Sequence, residues 1–300
     1  MDDAVGEGPE PSGAPLPHPP NLARTAVRLL QSQMGRAGSA VPLPAFLRGT
    51  LAYTLRDLAR DAFELLRRLD FLDADAAGPA ARRVNIVGCS MGGMIAQHFV
   101  LDYGRHVNSL CLHATCADLV CPAARHLRTV VGVLTDKPPP PPCGGALYKA
   151  EVVDFKVRFF QALCGELPFS EDEFRRSMRG AVERCAYEGG LERQLHAIAA
   201  DRDRTPLLRH AFNRAGGVPG DGHNRFPVLV LHGGADALLM PSCADHLACC
   251  CFHQAKLTIL PRMGHYFPPC TFVTIADSIL LNGEEGNDRV CRRARNPGDG

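Results

Sequence analysis

The feature that most narrows the possible folds is the junction at residues 84–103. Val84-Asn85-Ile86-Val87 is a short β-branched run, and Gly88-Cys89-Ser90-Met91-Gly92 is a glycine-bounded turn. Gly93 to Tyr103 then carries Met94, Ile95, His98, Phe99 and Leu101, as a packed helix does. A second apolar run, Val107 to His113, follows directly. Strand, helix and strand in so short a span form a βαβ unit. Such a unit requires parallel strands, which are buried on both faces and so read as unbroken apolar runs. The expected class is therefore α/β.

The rest of the chain extends this pattern. Upstream, Leu55, Leu58, Ala59, Ala62, Phe63, Leu65, Leu66 and Leu69 recur at spacings of mostly three and four, which predicts an amphipathic helix over Thr54 to Leu69. Downstream, Val228 to Leu231 and Lys256 to Leu260 read as two more strands, with helices near Ser242 to Cys251 and over Phe272 to Leu281. Between Cys116 and Asn224 the periodicity is helical, over Lys149 to Leu163, Glu171 to Cys185 and Leu191 to Ala200, after the proline run Pro138 to Pro142. The expected organisation is a low-complexity segment at 1–50, a first core part at 51–115, an all-helical insertion at 116–224, a second core part at 225–282 and a polar tail at 283–300. Residues 1–20 are Pro-, Gly- and acid-rich and are expected to be disordered, and Asn282 to Gly300 to fray.

Three residues could carry chemistry together. Ser90 stands at the centre of the only G-x-S-x-G in the chain, between a buried strand and a helix, where the bend forces a strained backbone. Gly88 and Gly92 are expected to be small because a side chain there would collide across the bend. A serine hydroxyl becomes a useful nucleophile when a histidine takes its proton and a carboxylate orients that histidine. Asp236 follows the strand ending at Leu231, in His232-Gly233-Gly234-Ala235-Asp236, and His265 follows the last strand, in Pro261-Arg262-Met263-Gly264-His265. The Met91 N–H, at the start of the helix, is a candidate oxyanion donor. The alternatives are an ordinary glycine-rich turn at Ser90, a helix cap at Asp236 with Asp245 as the competing acid, and a surface histidine at position 265. His232 reads as structural, and His98, on the helix after the turn, as a packed or solvent-facing residue.

Lys and Arg total 33 against 32 Asp and Glu, which gives no charge excess toward nucleic acid or an anionic membrane. No apolar stretch is long enough to span a bilayer. The expected partner is a small molecule and the expected location cytoplasmic. Thirteen cysteines, an odd number without a C-x-x-C pair, read as reduced thiols and not as a disulfide framework. Cys249, Cys250 and Cys251 before His253 do not space as metal ligands, so neither a metal nor any other cofactor is expected.

Four stretches resemble the α/β-hydrolases related to the polyketide methylesterases of the aclacinomycin and tetracenomycin type. They are Val84 to Gln97, Asp201-Arg-Asp-Arg-Thr-Pro-Leu-Leu208, Pro227 to Asp236 and Met263-Gly-His265. The resemblance runs from about Tyr53 to Leu281. It implies an α/β-hydrolase fold with a helical cap, and carboxylic-ester hydrolysis with Ser90, Asp236 and His265 as the catalytic triad. The chain departs from the family at the front. Residues 1–52 lack the His-Gly loop that supplies half of the oxyanion hole, and their composition does not supply several buried strands. The expected sheet is thus reduced to about four strands, with the Val84 strand as an exposed apolar edge open to self-association. A second expectation follows, that of a catalytically impaired binding or regulatory protein.

Overall fold

The computed structural model describes residues 53–73, 81–118, 146–185, 190–201, 203–212 and 226–295. The expected disorder at residues 1–20 and the proline run Pro138 to Pro142 lie outside these.

The first helix, α1 (Leu55–Arg68), begins where Thr54 closes a reciprocal cap. Its hydroxyl accepts from the Asp57 N–H at 3.1 Å, while Asp57 Oδ2 accepts from the Thr54 N–H at 2.9 Å. The helix buries Leu55, Ala59 and Phe63, and the Phe63 ring stacks on Tyr103 with centroids 4.0 Å apart. Tyr103 ends α2 (Met91–Tyr103), the helix that follows strand β1 (Val84–Cys89).

Strands β1, β2 (Val107–His113), β3 (Val228–Gly233) and β4 (Lys256–Leu260) form one parallel sheet in the order β1-β2-β3-β4. Successive side chains of a strand point to opposite faces, and the core divides accordingly. Leu110, Leu112, Val228 and Val230 pack with Phe99 and Val100 of α2. Cys111, Leu229 and Leu231 pack with Ile275 and Ile279 of the last helix, α8 (Phe272–Arg295). Every residue of β2 and β3 is buried. Among the described residues β1 pairs with β2 alone, and Val87 on it is 52% exposed.

Between β2 and β3 in the chain come α3 (Ala146–Ala162), α4 (Glu171–Arg184), α5 (Gly190–Ala200) and α6 (Thr205–Phe212). Helices α3 and α4 form a hairpin around Val153, Val157, Phe174 and Val182. After β3, α7 (Ser242–His246) continues into a π-helical turn, Leu247–Cys251. Among the described residues, no helix is long and apolar enough to cross a membrane.

The structure departs from the expected elements in several places. Strand β3 runs on through His232 and Gly233, and α6 is a helix the periodicity did not reveal. The closing helix, expected to end at Leu281, continues to Arg295. Its polar and small residues there serve packing. Asn282 donates to the Leu110 carbonyl at 3.0 Å, Asn108 donates to the Gly283 carbonyl at 3.1 Å, and a Cβ on Gly286 would stand 2.3 Å from the Asn108 carbonyl.

Candidate active site

Three strand ends bring the candidate residues together. Ser90 follows β1 with φ 53° and ψ −121°, a left-handed conformation that costs a non-glycine residue about 1–3 kcal/mol unless its surroundings impose it. Here they do. The Ser90 N–H donates to the His113 carbonyl of β2 at 2.9 Å, and the Thr115 hydroxyl donates to the Ser90 carbonyl at 2.8 Å. A Cβ on Gly88 would stand 2.5 Å from the Gly92 carbonyl, so the bend excludes any side chain there. At Gly92 itself a Cβ would meet nothing within 4 Å; the crowding expected at that position falls on Gly93, where a Cβ would stand 2.6 Å from Thr115. Met91 is the first residue of α2, so its N–H has no intrahelical carbonyl to reach.

Asp236 lies just past β3 and is 4% exposed. One carboxylate oxygen, Oδ1, accepts from the Leu238 and Leu239 N–H groups at 2.8 and 2.9 Å. The other, Oδ2, stands 2.8 Å from Nδ1 of His265. His265 is 7% exposed, and its Nε2 stands 2.9 Å from Ser90 Oγ. A carboxylate only accepts, so Nδ1 carries the proton and Nε2 is left free to accept the Ser90 hydroxyl. The carboxylate that meets His265 belongs to Asp236 and not to Asp245, which is exposed on α7.

The neighbouring groups stay neutral. Burial pushes His113 down to about 4, with the nearby His265 and His232 adding to the shift. Burial also lowers His232, whose Nε2 donates to the Leu239 carbonyl at 3.0 Å and lies 3.5 Å from Asp236 Oδ2. Cys89, next to Ser90, has its thiol pushed up to about 11 by burial and sits 3.2 Å from His113 Nδ1. A thiol raised so far stays protonated at neutral pH. Among the described residues, no cluster of three or more His, Cys, Asp or Glu side chains could hold a metal ion.

A parallel sheet with helices on both faces is shared with solved structures. The chain matches a meta-cleavage product hydrolase from Pseudomonas fluorescens IP01 with a TM-score of 0.51 and 15% identity, covering 79% of this chain and 73% of that one. It matches BpoC of Mycobacterium tuberculosis H37Rv, assigned as a non-heme bromoperoxidase, with a TM-score of 0.51 and 19% identity, covering 77% and 75%. A protein from Acinetobacter baumannii AYE assigned as a lipase matches with a TM-score of 0.52 and 16% identity, covering 77% and 69%. The fold is that of the α/β-hydrolases. At these identities the likeness establishes the fold alone, and the narrower methylesterase resemblance gains no support from it. No protein-family model and no curated protein matches the chain.

Within this α/β-hydrolase fold, two groups of contacts went unrecognised in the sequence. Thr115, which buttresses the Ser90 carbonyl, gives no local signal because its partner lies across a strand pair. The second is a buried network joining the α5–α6 junction to α2. Arg204 pairs with Asp201, donates to the Gln97 side-chain oxygen at 3.0 Å and donates to the Cys116 carbonyl at 2.7 Å. His98 Nε2 donates to Asp201 at 3.0 Å. Arg204 already matches the Asp201 charge, and burial pushes His98 down to about 4, so this imidazole is neutral. Both His98 and His232 are thus held inside the fold, as structural residues would be.

Proposed function

We propose that this chain is a serine hydrolase acting on a carboxylic ester, with Ser90 as nucleophile, His265 as general base and acid, and Asp236 as the group that orients and stabilises His265. The observation that carries this is the pair of distances at one imidazole, 2.9 Å to Ser90 Oγ and 2.8 Å to Asp236 Oδ2. In this reading Ser90 Oγ bonds to the ester carbonyl carbon as its proton passes to His265 Nε2, and the Met91 N–H donates to the developing oxyanion. Collapse expels the alcohol, which takes the proton from His265. Water, deprotonated by the same imidazole, then releases the acid from the acyl-enzyme.

The substrate side would be apolar. Leu55, Met94, Ala197 and Leu239 form a buried cluster flanked by Met91, Ile198 and Leu238, with Met91 directly beside the nucleophile. That lining suits an uncharged acyl or ring group, and the helical segment would act as the cap over it. Hydrolysis of p-nitrophenyl butyrate tests the reading. The protein should release p-nitrophenolate, and Ser90→Ala should lower kcat by about 10⁶-fold; equal rates in the two would contradict it.

The second reading, a binding or regulatory protein with an incomplete oxyanion hole, is favoured by the Met91 N–H standing as the one candidate oxyanion donor named among the described residues. Loss of one oxyanion donor costs about 2.7–4 kcal/mol of transition-state stabilisation. A well-folded sample that binds an apolar ester without turning it over would support that alternative.

A further inference from the structure

His265 stands on the loop 261–266, and this loop is held from both sides. On one side is the acid loop, with the Ala235 N–H donating to the Met263 carbonyl at 2.9 Å. On the other is the connection between α3 and α4. The His265 and Tyr266 N–H groups both donate to the Leu163 carbonyl, at 2.8 and 3.2 Å. The Gly264 N–H donates to the Cys164 carbonyl at 3.0 Å, the Glu166 N–H donates to the Arg262 carbonyl at 2.9 Å, and Gly165 and Met263 form an antiparallel bridge. A Cβ on Gly264 would stand 2.2 Å from the Leu163 carbonyl oxygen, so the two backbones approach only because this residue has none.

The residue after the base adds a side-chain lock. The Tyr266 ring enters the core of the α3–α4 hairpin, with centroids 5.9 Å from Phe160 and 5.5 Å from both Phe169 and Phe174. Main-chain bonds at 264, 265 and 266, with a ring anchored at 266, fix the direction of the Cα–Cβ bond at position 265. From that direction the imidazole stands 2.9 Å from Ser90 Oγ. The groups that hold positions 264 to 266 belong to the helical segment, whereas the Ala235 bond to Met263 comes from the sheet side, after β3.

We propose that the α3–α4 hairpin is the positioning element for His265, with Leu163 and Tyr266 as the positioning residues, so that displacing the hairpin draws the imidazole away from Ser90. The proposal rests on the reading of His265 as the base. It makes the helical segment a determinant of turnover and not of substrate shape alone.

The test uses the full chain, with two readouts. One is the downfield NMR resonance of the His265 Nδ1–H held by Asp236, assigned by its loss in His265→Gln. The other is kcat and KM for p-nitrophenyl butyrate. Tyr266→Ala and Gly264→Ala, with native circular dichroism, should lose or broaden the resonance and lower kcat about 10- to 100-fold with KM little changed, the cost of a misplaced group. Tyr266→Phe should regain both. Should Tyr266→Ala unfold, Tyr266→Leu keeps the apolar contact while removing the ring plane, with the same expected losses. Folded variants that retain both the resonance and the wild-type kcat would overturn the proposal. A wild-type resonance that the variants lose, without ester hydrolysis, would support the positioning and remove the ester reading. A wild-type protein without the resonance would overturn both.

Discussion

Ser90 and His265 meet at 2.9 Å, yet they are held by different parts of the molecule. Ser90 is set by its own bend, by the close approach at Gly88, and by His113 and Thr115 at the end of the adjacent strand. His265 is set by the acid loop and by a helix–helix connection far earlier in the chain, which contributes carbonyls and an aromatic box. The placement of Ser90 is therefore a product of local geometry and that of His265 a product of tertiary assembly. A change near Ser90 should act through the strand–turn–helix unit, whereas a change in α3–α4 should act through the base.

The sharpest way to separate the two halves is to remove the charge that joins them. Asp236→Asn should leave the Ser90 turn intact and lower kcat by about 10⁴-fold, since an amide in place of the carboxylate no longer favours the productive imidazole tautomer. Steady-state kinetics against the urea midpoint distinguishes this from unfolding. Arg204→Met probes the place where the helical segment reaches the nucleophile side, through the Cys116 carbonyl next to Thr115. It leaves the Asp201 charge with His98 alone and the Gln97 side-chain oxygen without its donor, and should cost about 3–5 kcal/mol of stability, measured by denaturant unfolding.

Acidification tests the buried imidazoles of both halves at once. His98 and His113 have folded values near 4 against an ordinary 6.5, so the unfolded chain binds more protons between those limits. Their contribution is full above pH 6.5 and is lost as the pH falls toward 4, at about 2 kcal/mol for each imidazole between pH 7 and 5. The urea midpoint should fall over that interval, and a flat profile would contradict their neutral burial. The smallest expected effect is Thr115→Val, which keeps the shape against Gly93 but removes the hydroxyl on the Ser90 carbonyl. It should cost about 1 kcal/mol in the same assay, because that carbonyl also accepts from the Gly93 and Met94 N–H groups.

This contrast also explains what the sequence revealed. Strands β2 and β4 keep the bounds expected from their apolar runs; β2 is buried throughout, as a central parallel strand is, whereas β4 at the sheet edge is exposed or half-buried. The spacing of Ser90, Asp236 and His265 was legible because each follows a strand, and strand ends in a parallel sheet lie side by side. The Leu163 carbonyl was not legible, since a main-chain acceptor leaves no trace in residue type. Tyr266 carries no signal in the sequence, because only the packing of α3 on α4 supplies its partners. The extension of α8 to Arg295 was missed for a related reason. Asn282, Gly283 and Gly286 look like breakers, but they let the helix approach β1 and β2 closely and bond to β2.

The most direct measurement of the central claim is intact-protein mass spectrometry after incubation with a fluorophosphonate, followed by peptide mapping. If His265 activates Ser90, the wild-type chain gains one adduct, located at Ser90, while Ser90→Ala gains none and His265→Gln gains it far more slowly. A folded wild-type chain that remains unmodified, or an adduct that survives the Ser90→Ala substitution at the same rate, would contradict it.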